Sequence, residues 1–245
     1  MLITEEHADL ETPSGPMRTH LFLPQSSPPR PGIVLFSEIY QVTGPIRRMA
    51  RLLAGNGYAV SAPEVYHEFE PLGAVLAYDQ AGTDKGNRHK IDKPLEGFDA
   101  DARAAIAHLR AHPACTGRLG AMGVCLGGHL AFRCAMNPEI LAAACFYPTD
   151  IHKRSLGKGM RDDSLDRIPE IKGELLMAWG RQDPHIPAEG RDLIRKALAD
   201  AGTDHTWHEF NAQHAFLRDE GHRYDAGLAR IAYAMVFELF ARRLS

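Results

Sequence analysis

The sequence predicts an α/β fold: a mostly parallel central sheet with helices on both faces and an antiparallel N-terminal edge. Three observations lead there. Short apolar runs of strand length alternate with amphipathic segments of helix length. Several of these runs are apolar throughout, as strands buried on both faces are. The first two strand-like segments, 2–10 and 17–23, are separated by Pro13-Ser14-Gly15-Pro16, a turn signal that suits an antiparallel pair.

The other elements follow in order. Residues 25–31 read as a polar loop, and GIVLF (32–36) as a buried strand. A helix comes next, with Arg47, Arg48 and Arg51 on one side and Met49, Leu52 and Leu53 on the other. Asn56-Gly57 ends it. YAVSAPEVY (58–66) reads as a strand. Residues 98–112 place Ile106 and Leu109 at helical spacing before Pro113. Residues 119–124 form a short strand and 126–136 a helix closed by Asn137-Pro138. LAAACFY (141–147) and ELLMAW (174–179) are two more buried strands. Residues 189–201 are helical up to Gly202, and 205–210 alternate like a strand. The last helix, 225–243, carries a stripe of Leu228, Ile231, Ala232, Met235 and Leu239. Segments 64–96 and 148–172 show no clear period. With no repeat and no linker, residues 1–245 read as a single domain.

Bulk properties narrow the function. The 245 residues carry a net charge of −3 with acids and bases interspersed, so neither nucleic acid nor membrane is the expected partner. The early acids and the lack of a long apolar run predict a cytosolic protein. Four cysteines make no disulfide framework, and no Cys-x-x-Cys or zinc spacing occurs. Neither a metal nor another cofactor is expected.

The chemistry concentrates at GAMGVCLGGH (120–129). A strand runs into Gly123-Val124-Cys125-Leu126-Gly127 and a helix runs out, the spacing of a nucleophile elbow. Glycines on either side let strand and helix pass closely while the thiol is pushed outward. At a helix N-terminus the free amides and the dipole favour an anion, which is expected to lower the thiol's pKa. A nucleophile needs a base and a group to orient that base. Asp183, in GRQDPHIP after one strand, and His214, in NAQHAF after the next, follow Cys125 in the chain order of an elbow hydrolase. His129, one helical turn after Cys125, could approach the thiol or pack against a neighbouring loop. His185 shares the Asp183 loop and could line the pocket.

These motifs resemble the dienelactone hydrolase family of the α/β-hydrolase fold. The resemblance rests on GVCLGG at the elbow, on FSEIYQVTGPIRRMARLLAGNGYAVSAPEVY, on GRQDPHIP and on HAFLR. It implies an ester or lactone hydrolase with Cys125 as nucleophile, Asp183 as orienting acid and His214 as base. It also implies that Glu38 stands beside the thiol, holding it protonated at rest and taking its proton once substrate binds. The amides of Leu126 and Ile39 would form the oxyanion hole. Arg218 and Arg88 would hold a substrate carboxylate, although 64–96 departs most from the family pattern. A small carboxylate-bearing lactone is the implied substrate. The competing readings are a broad short-chain carboxylesterase, a non-catalytic small-molecule binder, and thiol redox chemistry with Cys134 as a resolving cysteine.

Overall fold

The computed structural model describes residues 1–25 and 28–245. Of the expected polar loop 25–31, positions 26 and 27 therefore lie outside the described residues. Eight strands form one sheet in the order β1-β2-β4-β3-β5-β6-β7-β8. Strands β1 (Ile3–Thr12) and β2 (Gly15–Pro24) form the antiparallel hairpin expected from the sequence, and β2 also pairs antiparallel with β4 (Ala59–Pro63). From β4 the sheet is parallel through β3 (Arg30–Phe36), β5 (Cys115–Val124), β6 (Ile140–Phe146), β7 (Glu174–Gly180) and β8 (His205–Phe210).

The parallel strands are apolar because both of their faces are covered. Ile33, Val34, Leu35 and Phe36 of β3 are all buried, as is every residue of β7. The α-helices among the described residues are α1 (Gly44–Gly55), α2 (Gln80–Asp92), α3 (Leu95–Ala111), α4 (Leu126–Cys134), α5 (Ala188–Asp200) and α6 (Ala226–Leu244). A Cβ on Gly32 would meet Leu109 of α3, whereas one on Gly120 would meet Phe240 and Leu244 of α6. Gly120 pairs in register with Ile33, the neighbour of Gly32. Side chains alternate along a strand, so α3 and α6 cover opposite faces. Among the described residues no helix is long and apolar enough to cross a membrane.

Several elements differ from expectation. Helix α2 lies inside the segment without periodicity, and α3 begins at Leu95 rather than Phe98. In α2 the buried residues are Gly82, Gly86 and His89, so no apolar stripe marks it. In α6 the buried face is Ala229, Ala232, Val236, Leu239 and Phe240, while Ile231 is exposed. The stripe thus runs about one residue out of phase with the expected one, because it is built partly from alanines that carry little hydrophobic signal. Leu52, assigned to the apolar side of α1, is likewise exposed.

Parallel strands deliver their carboxyl ends to one edge of the sheet. The turns after β3, β5, β7 and β8 carry Glu38, Cys125, Asp183 and His214 to that shared edge. A ligand cleft is expected there in an open α/β sheet.

Candidate active site

Cys125 follows β5 directly and caps α4 with φ 59° and ψ −122°. A non-glycine residue in this region stores about 1–3 kcal/mol of strain. The turn is held by the Cys125 amide donating to the Phe146 carbonyl at 3.1 Å. It is possible only because the residues two positions before and after Cys125, Gly123 and Gly127, lack side chains. A Cβ on Gly123 would lie 1.9 Å from the Gly127 carbonyl oxygen, and one on Gly127 would lie 2.1 Å from that of Phe36. Gln41, Tyr147, Asp150 and Ala215 also adopt positive φ, so backbone strain clusters in the loops at this edge. Cys125 is half-buried, whereas Cys115, Cys134 and Cys145 are buried free thiols. The Cys134 thiol lies fully buried with Cys145 as its thiol neighbour, so it does not serve as a partner for Cys125.

His214 Nδ1 and Asp183 Oδ2 are 2.6 Å apart, and both side chains are buried. The other carboxylate oxygen of Asp183 accepts from the His185 amide at 2.8 Å, which fixes the acid's orientation. The rings of Tyr147 and His185 pack edge-on against the imidazole at 5.0 and 4.7 Å. Burial by itself lowers the His214 pKa. The charge and hydrogen bond of Cys125, with those of Asp183, outweigh that and raise it to about 10. A thiol and a carboxylate-backed imidazole thus meet in one cavity of about 200 Å³, small beside common ligand pockets.

Glu38 is buried at the same cavity. Its Oε2 accepts from the Tyr78 hydroxyl at 3.1 Å, and its Oε1 stands 3.7 Å from Arg218 Nη1. Burial raises its pKa, while the positive charges of Arg218 and His214 pull the other way. Arg218 stacks over the Tyr78 ring at 4.5 Å. The Leu126 amide is the first of α4, and Ile39 lines the cavity. Among the described residues neither amide has an intramolecular acceptor.

Residues 17–244 match the family described as the dienelactone hydrolase family. The chain belongs to that family. A Saccharomyces cerevisiae protein named "Putative carboxymethylenebutenolidase" is 44% identical over 256 residues, covering 100% of this chain and 93% of its own. The "Carboxymethylenebutenolidase" of Pseudomonas putida is 30% identical over 205 residues, covering 83% and 82%. Among solved structures, the dienelactone hydrolase-like promiscuous phosphotriesterase P91 from metagenomic libraries superposes with a TM-score of 0.81 at 20% identity over the whole of both chains, a likeness of fold. As a dienelactone hydrolase family member with these relatives, the chain is a hydrolase of the ester- and lactone-cleaving type.

Within this family member, one expected residue is not brought to the site. Arg88 is exposed on α2 and does not line the cavity, whereas Thr83, Asn87 and Lys90 of the same helix do. At about 100° per residue, position 88 projects away from the face shared by 83, 87 and 90. His129 also turns away from the thiol. It is fully buried, with Nε2 2.8 Å from Ser164 Oγ, and so packs against the loop after β6. His185 does line the cavity. Sequence reasoning missed Tyr78, Lys90 and Asp150, which fall in the two segments without periodicity, and Arg223, which follows a run of loop residues. Only Tyr78 had a local signal: Asp79 after it is an N-cap, accepting from the Gly82 amide at 2.7 Å.

Proposed function

We propose that the protein hydrolyses a small ester or lactone bearing an anionic group through a cysteine nucleophile. The observation that carries this reading is the convergence of the strained Cys125 turn with the His214–Asp183 pair on one cavity. His214 takes the thiol proton, directly or after Glu38 has accepted it, and Cys125 Sγ attacks the carbonyl carbon. The tetrahedral oxyanion is held by the amides of Leu126 and Ile39. Collapse forms a thioester, and the departing alkoxide takes the proton from His214. Water then attacks the thioester and gives its proton to His214, and sulfur leaves as the acid is released. Asp183 keeps the imidazole in the required orientation throughout.

Glu38 and Arg218 couple substrate binding to this chemistry. An anion drawn to Arg218 competes with Glu38 for the guanidinium. Glu38 thereby loses the partner that lowers its proton affinity and becomes a better acceptor for the thiol proton. The cavity's small volume restricts the substrate to a compact acyl group.

The test is a panel of anionic lactones and neutral aryl acetates assayed on wild type, Cys125→Ala, His214→Ala and Arg218→Ala. Loss of turnover in the first two variants, and a loss of preference for anionic substrates in the third, support the reading. Full turnover by Cys125→Ala overturns it. A wild type that favours neutral acetates replaces the anionic substrate with a short-chain ester.

A further inference from the structure

The candidate second cation, Arg88, faces away from the cavity, yet the cavity holds a guanidinium with no function assigned to it. Arg223 lines the cavity beside Cys125, His214 and Arg218. Its Nε is fully buried and has no hydrogen-bond acceptor. No carboxylate forms an ion pair with it among the described residues. A buried donor of this kind is costly to leave unmet, and a cationic one more so.

The reason it stays unpaired lies in its loop. The acids nearest to it in sequence are Asp225, Glu220 and Asp219, and all three are committed elsewhere: Asp225 caps α6, its Oδ1 accepting from the Leu228 amide at 2.9 Å. Arg48 of α1 donates to Asp219 Oδ2 from Nε at 2.6 Å and to Oδ1 from Nη2 at 2.8 Å, while the same Nη2 reaches Glu220 Oε1 at 2.6 Å. The other cations of the cavity differ from Arg223 in state. Lys90 is paired with Asp150 at 2.9 Å, and Arg218 is directed at Glu38. Lys153 is exposed, where water screens it. Arg223 is therefore the half-buried cation of the cavity that has no carboxylate partner among the described residues. Its field reaches the site, since it pulls on both Glu38 and His185.

We infer that Arg223 is a specificity-determining residue that, together with Arg218, grips a carboxylate on the acyl substrate. The inference rests on the hydrolase reading above and deepens it by supplying the second cation. A planar fork that already lacks an acceptor is suited to a carboxylate, and binding there would satisfy Nε while displacing no partner of Arg223 itself. Arg48 is then a positioning residue, because it keeps the loop's own acids away from the fork.

A matched chromogenic pair tests this: the 4-nitrophenyl monoester of succinate, which carries a carboxylate, and 4-nitrophenyl butyrate, which does not. In Arg223→Gln the ratio of kcat/KM for the anionic over the neutral ester is expected to fall by about tenfold to a hundredfold, mainly through KM, as for the loss of one charge-assisted hydrogen bond. Arg223→Lys is expected to recover part of the ratio, and Lys196→Gln, at an exposed position of α5 outside the cavity, to leave it near the wild-type value. Competition by free glutarate in a Cys125 alkylation assay reads the same grip without turnover. Protection by glutarate that weakens in Arg223→Gln supports the inference even if neither ester is hydrolysed, a result that would count against the hydrolase reading alone. An unchanged ratio, a parallel loss on both esters, or protection that is equal in wild type and Arg223→Gln overturns it.

Discussion

Gly127→Ala tests the link between backbone packing and chemistry. A Cβ at position 127 would lie 2.1 Å from the Phe36 carbonyl oxygen and 2.6 Å from that of Ser37, against ordinary contact beginning at 3.4 Å. The start of α4 must therefore withdraw from the end of β3 by roughly 1 Å, because both obstructing atoms are backbone and cannot rotate aside. Overpacking of this kind costs about 2–3 kcal/mol. For a chain of this size that lowers Tm by roughly 4–12 °C. The withdrawal also carries Cys125 and the Leu126 amide away from Ile39 on the β3 turn. A misplacement of about 1 Å is worth on the order of a hundredfold in rate. The assay is thermal melting together with kcat on an aryl acetate, with Gly55→Ala as the comparison. Gly55 is helical, and its nearest neighbour across a new Cβ is Ile3 Cδ1 at 3.9 Å. That variant is expected to match or exceed wild-type stability by about 0.5–1 kcal/mol. Wild-type Tm and kcat in Gly127→Ala would refute the packing argument.

Two further predictions address the acid and the pH response. Asp183→Asn keeps the size of the side chain but loses the charge facing His214 Nδ1, so kcat should fall by on the order of 10²–10⁴-fold with little change in KM; a loss below tenfold would remove Asp183 from the mechanism. Asp162 is buried, which by itself raises its pKa, but His129, Ser164 and Arg133 outweigh burial and hold it at about 2, against an ordinary 3.8. A depressed carboxylate contributes stability that is fully present above pH 4 and is lost as pH falls toward 2, about 2 kcal/mol in all. Chemical denaturation of wild type and Asp162→Asn across pH 2–6 checks this, and a stability gap that does not narrow as pH falls would contradict it.

Much of the fold was legible because burial on both faces leaves continuous apolar runs, as in GIVLF and ELLMAW. Cys125, Asp183 and His214 were legible for a related reason. Each follows a strand, and parallel strands end at one edge whatever separates them in sequence. Helix α2 was not legible, since close packing rather than apolar area holds it. A Cβ on Gly86 would lie 2.4 Å from the Ile39 carbonyl oxygen, so that face must be glycine. Missing this helix left its phase unknown, and Arg88 was assigned to a face it does not occupy. Arg223 was hidden differently. In RDEGHRY it resembles a surface arginine among neutralising acids, and the partner that removes those acids, Arg48, lies 171 residues from Asp219.

The central claim is that the acyl group passes through the sulfur of Cys125, and peptide mass spectrometry after acid quenching of a slowly deacylating ester tests it most directly. The account predicts an acyl adduct on the peptide containing Cys125, formed in wild type and absent in Cys125→Ala, which should also lose turnover. An adduct on another residue, or steady turnover by Cys125→Ala, would contradict it.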